Sequence, residues 1–219
     1  MKELAKRIVP AVLTDNPEHL TCMIRSAEQF TDWVQIDIMD GQFVQSRSIS
    51  ALDIANAKAR IPWEAHLMVL EPQKYIDDLH AAGASRIIVH YEAVNQCAED
   101  VIDHIISLGS AAGIVLNPET PVSVLSKSLL SKLDSVLFMA VHPGFYGAPF
   151  IPKVLDKIKS FRMLHPDMSI GIDGGVKTVN MIDVARSGAN EICAGSAIFA
   201  QSNYATAYRE LTQLAQSGW

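Results

Sequence analysis

The feature that most constrains this chain is a strict alternation of short apolar runs with longer segments of helical period. The runs that read as strands are Ile8–Leu13, Trp33–Ile38, Glu64–Val69, Arg86–His90, Gly113–Leu116, Ser135–Val141, Ser169–Asp173 and Glu191–Ala194. The segments that read as helices are Glu18–Phe30, Ala51–Arg60, Pro72–Ala82, Cys97–Leu108, Val122–Ser128, Ile151–Leu164, Thr178–Ser187 and Tyr204–Gln216. Strands alternating with helices build βαβ units and hence a parallel sheet. A count of eight favours closure over an open doubly wound sheet, so the expected class is α/β, a single (β/α)8 TIM barrel. The chain has 219 residues. Such barrels take about 250 residues, with about 200 near the minimum, so residues 1–219 form one barrel domain with no room for a second. Gly83 and Gly188 each fall just past a predicted helix, where a left-handed cap belongs.

Composition narrows the partners. An apolar fraction of 49% is enough to fill a sizeable core. A net charge of −6 leaves no electrostatic footprint for nucleic acid or an acidic membrane. No stretch approaches the roughly 18 apolar residues of a membrane span. The N-terminal Met1–Arg7 is charged and is followed by only a short apolar run, which is not a signal peptide. Cys22, Cys97 and Cys193 are scattered and form no Cys-x-x-Cys pair. That pattern suits reduced thiols in a cytoplasmic protein rather than a disulfide frame or a zinc knuckle.

In a parallel barrel, alternate strand residues point inward. On the second strand Gln35, Asp37 and Met39 share one parity against Val34, Ile36 and Ile38. The third strand sets Glu64, His66 and Met68 against Ala65, Leu67 and Val69, and the seventh sets Ser169, Gly171 and Asp173 against Ile170 and Ile172. If the polar parity faces inward, Gln35, Asp37, His66 and Asp173 converge at the C-terminal mouth, where barrel active sites lie. Each also has a structural reading. Asp40-Gly41 suits a plain turn, and a lone His66 suits a satisfied core histidine. Asp37 lies inside its strand, where a carboxylate is costly unless paired or coordinated.

Barrel phosphate sites use the loops after strands seven and eight and the start of a short extra helix. Those loops here read Asp173-Gly174-Gly175-Val176 and Ala194-Gly195-Ser196-Ala197. Glycines let backbone N–H groups approach an anion, which nominates Gly174, Gly175, Gly195 and Ser196; ordinary tight turns are the alternative. The loop from His142 to Phe150, with Gly144 in it, reads as a lid over the ligand or as a long connection. Met39, Met68 and Met139 recur at strand ends, as core filler or as an adaptable apolar floor beside the reacting carbons.

Taken together, these motifs resemble the ribulose-phosphate 3-epimerase family. The matching stretches are Ile36-Asp37-Ile38-Met39-Asp40-Gly41 with Phe43-Val44, His66-Leu67-Met68 with Glu71-Pro72, and Asn117-Pro118-Glu119-Thr120-Pro121. Pro143-Gly144-Phe145, Phe150-Ile151-Pro152, Asp173-Gly174-Gly175-Val176 and Ala194-Gly195-Ser196-Ala197-Ile198-Phe199 follow in family order. The resemblance implies a ribulose-phosphate-binding barrel in which Asp37 and Asp173 act as an acid–base pair on opposite faces of a ketose phosphate. One removes the C3 proton, the other returns a proton from the far side, and an enediolate lies between. It also implies a divalent metal, such as zinc, iron or manganese, held by Asp37, His66 and Asp173, and a dimer or larger homo-oligomer by analogy.

The chain departs from the family at the active face. Gln35 stands where the family has a second metal histidine, so the resemblance implies a weakly bound metal, an amide being a poorer ligand than an imidazole. Ala11 replaces a substrate-contacting serine, Gln45-Ser46 replace Pro-Asn, and the lid reads His142-Pro143-Gly144-Phe145-Tyr146-Gly147-Ala148. Three functions fit. The first is an epimerase of ribulose 5-phosphate and xylulose 5-phosphate, or of a related hexulose phosphate. The second is a diverged paralogue that binds a phosphosugar with little or no epimerisation. The third is another phosphate-binding barrel enzyme such as a decarboxylase.

Overall fold

The structure is a computed structural model that describes residues 4–143 and 148–219. The strands are β1 (Arg7–Val12), β2 (Val34–Met39), β3 (Trp63–Met68), β4 (Arg86–His90), β5 (Ala111–Leu116), β6 (Ser135–Met139), β7 (Ser169–Asp173) and β8 (Glu191–Ala194). They close in chain order into one barrel with every neighbouring pair parallel. The helices are α1 (Pro17–Ala27), α2 (Ala51–Ala57), α3 (Ile76–Ala81), α4 (Tyr91–Val94), α5 (Ala98–Leu108), α6 (Lys127–Lys132), α7 (Lys153–Leu164), α8 (Met181–Arg186), α9 (Ser196–Phe199) and α10 (Tyr204–Gln216). Among the described residues, no helix is long and apolar enough to cross a membrane.

Local chemistry explains where the elements differ from their predicted bounds. The second helix stops at Ala57 because Lys58 adopts a left-handed φ of 51°. It starts with a capping box, Ser50 accepting from Asp53 N and Asp53 from Ser50 N. The helix expected over Pro72–Ala82 is split into a 3-10 turn at Pro72–Lys74 and α3. The one expected over Val122–Ser128 lies further on, as α6, because the Ser126 side chain accepts from Leu129 N and caps it there. Strand β5 begins at Ala111 rather than Gly113, since Ala111 already pairs with Arg86. Strand β6 ends at Met139, two residues short of the predicted Val141.

Side-chain alternation divides the interior into two cores. Val34, Ile36, Ile38, Ala65 and Leu67 face the helices and join the large outer core. Val9, Ala11, Ile88, Val115, Leu137 and Cys193 fill the inside of the barrel. The N-terminal end is plugged by charge. Arg86 donates from Nε to Glu64 Oε2 at 2.7 Å and from Nη2 to Glu191 Oε2 at 2.5 Å. Arg7 reaches the other Glu191 oxygen, and both guanidinium groups lie over the Trp33 ring, 4.3 and 5.1 Å from its centroid. Buried charges persist only when paired in this way. The plug seals one end and leaves the opposite, C-terminal end as the open mouth.

Candidate active site

Register carries the site residues into line. Asp37 pairs with His66 and Met39 with Met68 across β2 and β3, and Met139 pairs with Asp173 across β6 and β7. The polar parity faces inward as expected. His66 Nδ1 lies 2.9 Å from Asp37 Oδ1 and 3.4 Å from Asp173 Oδ2. One ligand atom from each of Asp37, His66 and Asp173 fits within 4.8 Å of the others. One imidazole and two carboxylates so arranged suit a divalent transition metal with open positions.

Gln35 is wholly buried beneath this group. Its Nε2 donates to Asp37 Oδ1 and to Asp173 Oδ2, each at 2.8 Å. Its Oε1 accepts from the Cys193 thiol, with Sγ 3.1 Å away. The amide nitrogen, not the oxygen, therefore faces the carboxylates. That assignment follows from hydrogen-bond logic, because ionised carboxylates only accept and a thiol hydrogen donates. On the far side of His66, Nε2 lies 3.0 Å from His90 Nε2, and His90 Nδ1 lies 3.5 Å from Glu92 Oε2.

Electrostatics separates the two aspartates. Burial pushes Asp37 above the usual carboxylate range, and the Asp173 charge adds to it against the His66 hydrogen bond. Asp173 is equally buried, yet the hydrogen bond and charge of His66 and the Gln35 amide hold it below the ordinary value. Burial would lower His66, but the hydrogen bonds and charges of Asp173 and Asp37 prevail and hold it at about 10. Burial takes His90 the other way, to about 4, so its ring is neutral and can accept from His66. The Cys193 thiol is pushed well above its ordinary value by burial and the surrounding carboxylates, and it remains a donor.

A cavity of about 450 Å³ opens over these groups. Asp37, Asp173, Met39, Met68 and Met139 line it, as do Gly174, Gly175, Gly195 and Ser196 at its β7 and β8 side. Met39 and Met68 pack with Val44 and Phe43, while Met139 belongs to the inner barrel core. His66 and Gln35 sit below. Gly144 lies outside the described residues. Gly174 has a φ of +106°, and a Cβ there would come 2.5 Å from Val141 Cγ2; Gly175 has a φ of +66°. Both positions exclude ordinary side chains and bare the loop's backbone. Asp40 is the turn residue its Asp-Gly pair suggests: its carboxylate accepts from Gln42 N, Phe43 N and Leu70 N.

Sequence reasoning missed four residues at the site. Arg47 and Lys177 line the cavity; Lys177 follows the Gly-Gly pair by two residues, and that spacing was the available signal. His90 ends β4 on the inward parity, and Cys193 lies on the inward parity of β8, as the alternation rule could have revealed.

The Ribulose-phosphate 3 epimerase family matches residues 7–199, from the first residue of β1 to the last of α9. The chain belongs to the ribulose-phosphate 3-epimerase family. It is 38% identical over 214 residues to the ribulose-phosphate 3-epimerase of Synechocystis, covering 93% of each chain. It is 37% identical over 213 residues to that of Bacillus subtilis, covering 94% of this chain and 97% of the relative. Solved barrels share the architecture at low identity. KGPDC from Streptococcus mutans superposes with a TM-score of 0.70 at 13% identity, over 99% of this chain and 100% of the other. The 3-hexulose-6-phosphate synthase from Salmonella typhimurium gives 0.72 at 14%, over 97% and 100%. These two likenesses concern the fold alone.

Proposed function

We propose that this member of the epimerase family interconverts ribulose 5-phosphate and xylulose 5-phosphate by inverting C3. The observation that carries the reading is the pair Asp37 and Asp173. They reach one cavity from β2 and β7, and their acidities are displaced in opposite directions. Groups so separated are suited to act as acid and base on one substrate.

Asp173, held ionised, takes the proton from C3, whose acidity comes from the adjacent C2 ketone. Asp37, held toward its protonated form, delivers a proton to the other face of the resulting enediolate, and the roles exchange in the reverse direction. Met39, Met68 and Met139 present an apolar surface around the planar intermediate and exclude water. Gly174-Gly175 and Gly195-Ser196 seat the phosphate through backbone N–H groups, with Lys177 beside them to balance its charge.

Asp37, His66 and Asp173 fit a divalent cation, which when bound would stabilise negative charge developing on the substrate oxygens. The amide of Gln35 presents its nitrogen to that position, which supports weak retention. A binding-only role is less favoured, because two carboxylates, Asp37 and Asp173, line the cavity. The reading is tested by coupled assay of xylulose 5-phosphate formation from ribulose 5-phosphate, alongside hexulose 6-phosphates. Turnover of the pentose phosphate supports it. Turnover of only a hexulose phosphate would relocate the substrate, and turnover of neither would reject the epimerase reading.

A further inference from the structure

We infer that Cys193 sets how tightly the site takes a divalent cation, by holding Gln35 with its amide nitrogen rather than its oxygen toward Asp37 and Asp173. The inference rests on the metal-site reading above and extends it to a residue outside the ligand set. The amide is held by two bonds from Nε2 to the carboxylates and one from the Cys193 thiol to Oε1, and Nε2 also lies 3.4 Å from His66 Nδ1. In this orientation Gln35 bridges the aspartates as a neutral donor.

A cation between the carboxylates reverses the preference. Its charge repels the amide N–H groups and attracts the carbonyl oxygen, so tight binding requires the amide to turn over. Turning aims Oε1 at the cation and leaves Nε2 facing Cys193, where sulfur is only a weak acceptor. The thiol donor thus opposes the turned state by one hydrogen bond. Cys193 is 1% exposed, at the floor of the cavity, so the bond is made out of bulk solvent. Cys193 is a positioning residue that acts through Gln35.

The experiment is titration of the chelator-treated protein with Mn²⁺ alone, following free Mn²⁺ by electron paramagnetic resonance, in wild type, Cys193→Ala, Cys193→Ser and Gln35→His. Cys193→Ala, with no donor, should bind Mn²⁺ about three- to tenfold more tightly, the effect of one net hydrogen bond. Cys193→Ser, whose hydroxyl accepts from the turned Nε2 as readily as it donates to Oε1, should also gain affinity, and Gln35→His should bind tightest. Equal affinities for wild type, Ala and Ser would overturn the inference, as would an alanine variant that binds Mn²⁺ more weakly. Failure of Gln35→His to gain affinity would overturn the metal-site reading beneath it. No readout depends on turnover, so loss of the proposed epimerase activity is scored separately.

Discussion

The amide nitrogen of Gln35 lies 2.8 Å from Oδ2 of Asp173, a residue 138 positions further along the chain. The contact crosses the barrel from β2 to β7, and with the matching bond to Asp37 it fixes the two site carboxylates against each other through a neutral group. It favours the charged form of Asp173, as the matching bond from the same nitrogen favours that of Asp37.

Replacing either aspartate should remove the proton transfer while leaving the barrel intact. Asp37→Asn and Asp173→Asn are each expected to lower kcat by about 10²–10⁴-fold. Steady-state kinetics with a circular dichroism check decides this. Wild-type turnover in Asp173→Asn would mean that another group moves the proton.

Gly175→Leu should weaken substrate binding. Its φ of +66° strains any L side chain, by roughly 1–2 kcal/mol, and a Cβ would press on Phe150 at 3.1 Å. A larger side chain would also cover the N–H groups assigned to the phosphate. The expected outcome is a raised KM and a weakened competition by inorganic phosphate. Unchanged values for both would move the phosphate seat elsewhere.

The charged plug makes a stability prediction. Arg86 is bonded to Glu64 and Glu191, all three buried. Arg86→Met strands Glu64 and leaves Glu191 to Arg7 alone, and should cost about 3–5 kcal/mol, the effect of breaking a buried pair from one side. Adding Glu64→Gln should recover part of that loss. Urea unfolding of the single and double variants measures both, and a loss below about 1 kcal/mol would show that water reaches the plug.

Glu92 predicts a pH dependence. Burial would raise it, but the His90 ring 3.5 Å away and hydrogen bonds from Thr120 and the Asn117 backbone amide prevail and hold it at about 2, against an ordinary value of 4.5. Its folded pKa is depressed, so its contribution is complete above the ordinary value and is lost as pH falls from there through about 2. The stability advantage of wild type over Glu92→Gln should therefore narrow as pH drops from about 6 to about 3. Denaturant midpoints of both proteins across that range test it, and a constant gap would contradict it.

Much of this is legible in the sequence, and the reasons are specific. Asp37, His66 and Asp173 can be brought together because strand parity is a rigid rule and each lies near a strand's C-terminal end. Asp40 can be assigned to a turn because Asp-Gly carries its own local geometry. The orientation of Gln35 cannot be read, since it depends on the Cys193 donor on β8 and on carboxylates from two strands. The helix expected over Val122–Ser128 is displaced because Ser126 reads as helix interior when it serves as the cap of the next segment. Arg47 escapes the motifs because it follows them rather than belonging to one, and only the folded loop turns it toward the cavity.

The central claim is C3 inversion through Asp37 and Asp173, and the most direct test is proton NMR of ribulose 5-phosphate incubated with the protein in deuterated water. The account predicts that xylulose 5-phosphate forms with solvent deuterium at C3, and that both its formation and C3 exchange collapse in Asp173→Asn. Retention of the C3 proton with no xylulose 5-phosphate from the wild-type protein would contradict it.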